Sequence, residues 1–312
     1  MKEPQEPHED RMAYAAGGGD PAGPRRSPLP IVVGTDGSPR AGLAVEWAAE
    51  EAGRTGRPLH VLHAIERWPC DMPFHPAPGL AESRTESGAR ILAEAVDLAL
   101  KARPDIEVTT DLVEETPAEA LRQAALGAYE IVIGNRGLGG LMALLLGSTG
   151  LKVAGHAPGP VIIVRGEPVE THGEVVVGVD RSGESALALR YAFDAARIRG
   201  VWLRAVHVWE TSLAEIDGAY PAAIREAAAS AANLLVGAVT PWRDRYPEVR
   251  VLEQAVAGHP VGELVERSAH ADLLVVGVRS NCGGRHGLHL GSVSHGVIHH
   301  ALCPVAVVRA RP

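Results

Sequence analysis

The sequence predicts an α/β protein of two tandem doubly wound domains, each a five-stranded parallel sheet flanked by helices. Three observations carry this. A long internal repeat divides the chain, short apolar runs alternate with helical segments in each half, and a glycine loop follows the fourth strand of the first half. At 312 residues the chain is too long for one typical domain and suits two.

The repeat is legible by eye. PIVVGTDGSPRAGLAVEWAAEEA is answered by EVVVGVDRSGESALALRYAFDAA, with Asp36 and Asp180 as landmarks 144 residues apart. Pro160 and Pro304, which open GPVIIVRG and CPVAVVRA, are also 144 apart. A unit of that size is a duplicated domain, because solenoid repeats run roughly 20 to 50 residues. The domains are expected at 30–167 and 173–310, behind a tail at 1–29. That tail, rich in Pro, Gly and charge, is too poor in apolar surface to offset its ordering entropy and reads as disordered.

In the first half IVVGTD is a buried strand ending at a turn, followed by a helix from Pro39 to about Gly53. Next come a strand at LHVLHAI, a helix from about Ala81 to Ala102, and a strand through IEVTTDLV. A shorter helix from Pro117, strand EIVIG, the glycine loop, a helix from Ser148 to about Gly155 and strand VIIV complete the unit. Wholly apolar strands between helices imply a parallel sheet covered on both faces. Ligands of such sheets bind beyond the carboxyl ends of the strands, where strand order reverses, so the loops after IVVGTD and EIVIG are expected together there.

Composition narrows the function. The net charge of −8 and the absence of a basic stripe disfavour nucleic acid as a partner. No apolar run reads as long enough to span a bilayer and no apolar signal core opens the chain, so no membrane role is expected. Three cysteines, Cys70, Cys282 and Cys303, form no disulfide framework and point to a reducing cytoplasm. Cys303 in ALCPVAVV reads as a small core residue. There is no G-x-S-x-G elbow, no H-E-x-x-H and no carboxylate pair beside the glycine loop, so an enzyme is not expected beyond a weak ATPase.

The informative segment is IVIGNRGLGGLMALLLGSTGLKV. Gly134 closes a strand, Gly137 follows after two residues, and Gly147-Ser148 after nine more. Successive backbone N–H groups in such a loop form an anion-binding concavity, and a helix opening at Ser148 adds its free N–H groups and positive dipole end. The loop lacks the P-loop lysine and the spacing of the dinucleotide fingerprint. Arg136 reads either as a phosphate partner or as a solvated side chain. Asp36 reads either as a cap of the helix at Pro39 or as a ligand-facing carboxylate, and one group can do both. LMALLL reads as core or as contact surface.

The G-x2-G-x9-G-S spacing, the early VGTDGSP and the closing APGPVIIVR resemble the universal stress protein family, in its tandem two-domain form, over nearly all of the chain after about residue 30. The resemblance implies an adenine nucleotide alpha hydrolase-like fold and an ATP-binding type. It implies that Gly134, Gly137, Gly147, Ser148 and Thr149 hold phosphates, that Asp36 lies beside the nucleotide, and that backbone near Ala64 lies against adenine. It also implies a nucleotide-dependent regulator of stress or dormancy, with slow ATP hydrolysis or self-phosphorylation, Asp36 holding Mg²⁺ or orienting water, and a nucleotide-free interaction module as alternatives.

The second copy matches at Asp180, Gly277, Gly291, Ser292 and Val293, yet Ser280 replaces the second glycine and ten residues separate it from Gly291. Arg181 follows Asp180 where Gly37 follows Asp36. The first site is therefore expected to bind nucleotide more tightly. His286, His289, His295, His299 and His300 read as surface or interface residues and no metal is expected. In the strand order that the resemblance implies, VIIV and VAVV each lie at a sheet edge. Bare apolar edges invite pairing, so the two are expected to cover each other as an intramolecular pseudo-dimer, with further homo-dimerisation open.

Overall fold

The computed structural model describes residues 28–66, 80–137, 146–165, 171–210, 221–278 and 290–311. The first half runs β1 (Ile31–Gly34), α1 (Pro39–Thr55), β2 (Leu59–Ala64), α2 (Leu80–Ala102), β3 (Val108–Val113), α3 (Pro117–Ala124), β4 (Glu130–Gly134), α4 (Ser148–His156) and β5 (Val161–Val164). The second half repeats it as β6 (Glu174–Gly178), α5 (Ser185–Arg199), β7 (Trp202–Trp209), α6 (Pro221–Arg245), β8 (Val251–Ala257), α7 (Pro260–Ser268), β9 (Leu273–Gly277), α8 (Ser292–His300) and β10 (Val305–Val308).

Both halves have the expected parallel order, but their sheets are one. The strands follow β3-β2-β1-β4-β5-β10-β9-β6-β7-β8, with every neighbouring pair parallel except β5 and β10. The antiparallel join sets Val305 opposite Ile163, Ala306 opposite Ile162 and Val307 opposite Val161. Ile162 and Ala306 occupy the same position of the repeat, so the register is symmetric about them. All eight side chains of the two strands are buried. Burying an aliphatic side chain of this size stabilises by about 1.5–3 kcal/mol, and neither strand is left as an open edge.

Alternation along the strands feeds two cores that cross the join. Ile31, Val33, Ile162, Val177 and Ala306 face α1, α2, α5 and α6. Val32, Ile131, Ile163, Val176 and Val305 face α3, α4, α7 and α8. The strands are buried on both sides, which is why they read as continuous apolar runs.

Helix limits follow local chemistry. Ser38 caps α1 by accepting from the Ala41 amide at 3.2 Å, Pro39 stands in its first turn, and Gly56 ends it at φ 63°. The helix therefore runs past Gly53 to Thr55. Contrary to the expectation of no span, α6 from Ala222 to Arg245 is long and apolar enough to cross a membrane by length and composition. In the fold it packs along β7 and β8 through Ala231, Leu235 and Val239.

Candidate functional site

In the first half the chain reverses direction across the sheet between β1 and β4, the place where doubly wound sheets take ligands. The turn after β1 is built by its own side chains. The Gly37 amide donates to Thr35 Oγ1 at 3.2 Å and the Ser38 amide to Asp36 Oδ1 at 3.0 Å, with Gly37 at φ 77°. Asp36 is therefore not the helix cap, one of the two roles its position allowed; Ser38 takes that role because it stands directly before Pro39.

The loop after β4 starts and returns at one point. The Asn135 amide donates to the Val164 carbonyl, and the Gly147 amide to the Asn135 carbonyl, both at 3.0 Å. Gly134 and Gly137 are tight for different reasons. A Cβ at Gly134 would stand 2.7 Å from the Arg40 carbonyl oxygen, so α1 can reach the sheet only over a glycine. Gly277 has the same neighbour in the second half, the Glu184 carbonyl at 3.2 Å. A Cβ at Gly137 would overlap Asp36 Oδ2, so this glycine lies directly against the carboxylate.

Gly147 differs. Its φ of −71° is open to any residue, and among the described residues a Cβ there would meet no atom closer than 3.9 Å. Gly291 has φ −67° and, among the described residues, nothing within 4 Å of a Cβ there. Among the described residues neither packing nor conformation requires glycine at these two positions, each of which opens a helix with no acidic residue in its first turn. Ser148 is exposed and Thr149 half-buried at the start of α4. Ser292 is exposed and Val293 half-buried at the start of α8.

Arg136 beside Gly137 is not freely solvated. Its Nε is buried with no hydrogen-bond partner among the described residues. Burial, then the positive charges of Arg136 and Arg40, pull Arg165 below its usual range, so the loop's surroundings are cationic. At the end of β2, Ala64 lines a cleft of about 330 Å³ with His63, Ile65, Glu66, Arg84, Ser87 and Gly88. His63 Nδ1 is 2.7 Å from the Thr35 carbonyl, and His207 repeats the contact with Val179 at 2.7 Å. These two histidines tie the second strand of each half, β2 and β7, to the turn after its first strand. They were missed in the sequence, although HVLHAI and RAVHVW show them at the same repeat position.

The second half is not a copy of this arrangement. Asp180 Oδ1 accepts from the Ser182 amide at 2.8 Å, from Ser185 Oγ at 2.6 Å and from Ser182 Oγ. Its carboxylate is drawn into the loop before α5, whose cap, Glu184, makes no side-chain cap bond. Ser294 Oγ donates to the Gly277 carbonyl at 3.0 Å, where the first half has Gly150. Ser280, Cys282, Gly283, Gly284, His286 and His289 lie outside the described residues, as do Cys70, the tail to residue 27 and most of LMALLL. Leu146, the last residue of that stretch, is buried.

His295 and His299 share a helix face, with ring centroids 4.6 Å apart. No group of three or more His, Cys, Asp or Glu with metal-holding geometry occurs among the described residues. Burial, then His295 and His300, lower the pKa of His299. Burial pushes the Cys303 thiol up to about 12, leaving it protonated in the core.

A structural feature of the seam had no counterpart in the sequence reading. Arg165, next after β5, donates to the Ile298 carbonyl and, at 2.7 Å, to the His299 carbonyl at the end of α8. Arg309, next after β10, donates to the Gly155 carbonyl at 2.6 Å and the Ala154 carbonyl at 3.0 Å near the end of α4.

Comparison with known proteins agrees with this architecture. The universal stress protein family model matches twice, at residues 29–165 and 172–309. A universal stress protein of Mycobacterium tuberculosis is 37% identical over 292 residues, covering 89% of this chain and 96% of that protein. One from Mycolicibacterium smegmatis is 35% identical over 291 residues, covering 90% and 97%. Among solved structures, a universal stress protein from Archaeoglobus fulgidus superposes with a TM-score of 0.67 over 90% of this chain and 96% of its own, at 21% identity. With a duplicated 3-2-1-4-5 sheet, two family matches and relatives of the same two-domain length, the chain belongs to the universal stress protein family.

Proposed function

We propose that the first half binds ATP and that the protein acts as a cytoplasmic, nucleotide-dependent regulator of a stress or dormancy response. The observation that carries this is the pairing of an uncrowded glycine with a helix start. Among the described residues nothing fills the volume a side chain at Gly147 would take, directly before the exposed Ser148 of α4. Free N–H groups and the positive dipole end of a helix favour phosphate. Arg136 and Arg40 add positive charge near the loop. The fit is therefore to an anion, with adenine assigned to the cleft beside Ala64.

In this reading Gly147, Ser148 and Thr149 hold phosphates, with Gly137 allowing Asp36 to stand at the mouth of the loop. When bound, the nucleotide supplies a charged group whose presence distinguishes two states of the chain. Regulation requires that a partner, or the chain itself, have different free energy in those two states. A thermal-shift comparison tests the binding: ATP raises the melting temperature of the full chain, and Gly137→Val removes the rise. No rise with any adenine nucleotide would favour an interaction module that uses the loops only as architecture.

A second reading, slow hydrolysis, is favoured by the contact of the Asp36 carboxylate with Gly137. In this reading Asp36 would hold Mg²⁺ or orient water. Phosphate release in a single turnover that disappears in Asp36→Asn supports it, and tight binding with no release removes it.

A further inference from the structure

The arginines that follow the last strands cross the seam in both directions. Each stands where its own half's loop is anchored. Val164, which precedes Arg165, accepts the Asn135 amide at the start of the first loop at 3.0 Å. Val308, which precedes Arg309, accepts the Val278 amide at the start of the second loop at 3.0 Å. Each arginine then reaches into the other half and holds the carbonyls near the end of its last helix.

Those helices begin at the loops' other ends, α4 at Ser148 and α8 at Ser292. Both have nine residues, about 13 Å at the usual rise per residue. A helix this short moves as a rod, so a displacement at its first turn is delivered to its last carbonyls. Cations at a helix C-terminus satisfy unpaired carbonyls and complement the dipole, so the grip resists that displacement. Hydrogen bonds and two short helices thus close a ring. It runs from Asn135 through Val164 and Arg165 to α8, by the Ser294 hydroxyl to the Gly277 carbonyl and so to Val278, then through Val308 and Arg309 to α4, and by the Gly147 amide back to the Asn135 carbonyl.

We propose that this ring couples the two loops, so that a change at the first loop alters the second half's loop anchor and the start of α8, and the reverse. For nucleotide binding the coupling rests on the reading given above, and it makes the second half a sensor of the first half's occupancy. Such coupling is reciprocal, and its usual size is about 5- to 150-fold in an equilibrium constant. The distinguishing feature is that both arginines donate to carbonyls near the far ends of α8 and α4, away from the helix starts, yet each is required for transmission.

The test is amide hydrogen exchange on the full chain, read at Val278 and residues 292–296, with and without ATP. In the ligand-free chain Gly137→Ala disturbs the first loop directly, and exchange at those second-half amides is expected to change by about fivefold or more. Adding Arg165→Gln and Arg309→Gln is expected to confine the change to the first half. Arg165→Lys with Arg309→Lys, which keeps the charge at both helix ends, is the variant to use if the glutamine pair lowers folding, and it is expected to retain part of the transmission.

Second-half exchange that ignores Gly137→Ala, or that responds equally with and without the arginines, overturns the coupling. ATP is then added to the wild-type chain. Protection of both halves that Gly137→Ala abolishes together supports coupling through the first site. Second-half protection that survives Gly137→Ala shows direct binding there and overturns it. If ATP protects neither half, the nucleotide reading fails, while the ligand-free comparison still decides the coupling.

Discussion

Tyr191 of the second half donates its hydroxyl to Glu130 Oε2 of the first at 2.7 Å, across the seam and out of solvent. Burial, and then the charge of Glu51, push the Glu130 carboxyl up to about 8 from an ordinary 4.5. Its second oxygen is buried without a hydrogen-bond partner among the described residues, which a proton accommodates better than a charge does. Between those two values the folded chain holds a proton that the unfolded chain has released. The contribution of Glu130 to stability is therefore complete below the ordinary value and lost as pH rises through about 8. Melting temperature is expected to fall from about pH 5 to about pH 8.5, and Glu130→Gln to flatten that fall. An equal fall in both proteins would remove Glu130 as its cause.

The same seam holds an ion pair, Arg199 to Glu51 at 2.6 Å, with the side chains 8% and 4% exposed. Removing one partner leaves the other charged and buried, at a cost of about 3–5 kcal/mol. Arg199→Met and Glu51→Ala are each expected to destabilise on that scale in urea. The double variant is expected to lose less than the sum, because the stranded charge is gone. Strict additivity would show that the two groups act independently.

Gly134 and Gly147 belong to one loop motif but answer to different demands. Gly134→Ala forces a methyl group to within 2.7 Å of the Arg40 carbonyl oxygen. Overpacking against backbone costs about 1–3 kcal/mol, so the variant is expected to lose stability. Gly147→Ala meets no atom of the described residues closer than 3.9 Å and is expected to keep stability while weakening ATP binding about tenfold or more, a loss of about 1.4 kcal/mol. Differential calorimetry alongside nucleotide titration separates the two effects, and a reversed pattern contradicts the assignment of Gly147 to the ligand.

Asp36 and Asp180 occupy one position of the repeat and are used differently. Asp180 is held by Ser182 and Ser185, so Asp180→Ala is expected to cost about 1–3 kcal/mol of stability and leave ATP affinity unchanged. Asp36→Asn is expected to do the opposite, altering affinity or Mg²⁺ dependence with little loss of stability. Paired urea melts and ATP titrations of the two variants check this.

Much of this architecture is legible in the sequence because it rests on local pattern. Fully buried parallel strands read as apolar runs, and the antiparallel join of β5 to β10 is foreshadowed by VIIV and VAVV, which would otherwise be exposed edges. The spacing of Gly134, Gly137, Gly147 and Ser148 locates the loop. It does not reveal that Gly134 is glycine for the approach of Arg40, because that contact comes from an element more than ninety residues earlier. Nor does it reveal how differently Asp36 and Asp180 are held: both accept from a serine amide two residues on, but Asp180 also accepts from Ser185, where the first half has Ala41, while Asp36 lies against Gly137. The seam network of Glu51, Glu130, Tyr191 and Arg199 is the least legible part. Its members come from three elements, α1, β4 and α5, and a buried glutamate at the head of EIVIG looks like any charged strand end. Arg165 and Arg309 were visible as equivalents in the repeat, but their targets are carbonyls, which no side-chain pattern records.

The central claim is that two domains of one fold carry unequal sites, with ATP on the first. Isothermal calorimetric titration of the full chain with ATP and Mg²⁺ tests it most directly. One tight site per chain is expected, abolished by Gly137→Val and retained in Ser292→Ala. Two equal sites, or a single site lost in Ser292→Ala and untouched by Gly137→Val, would contradict it.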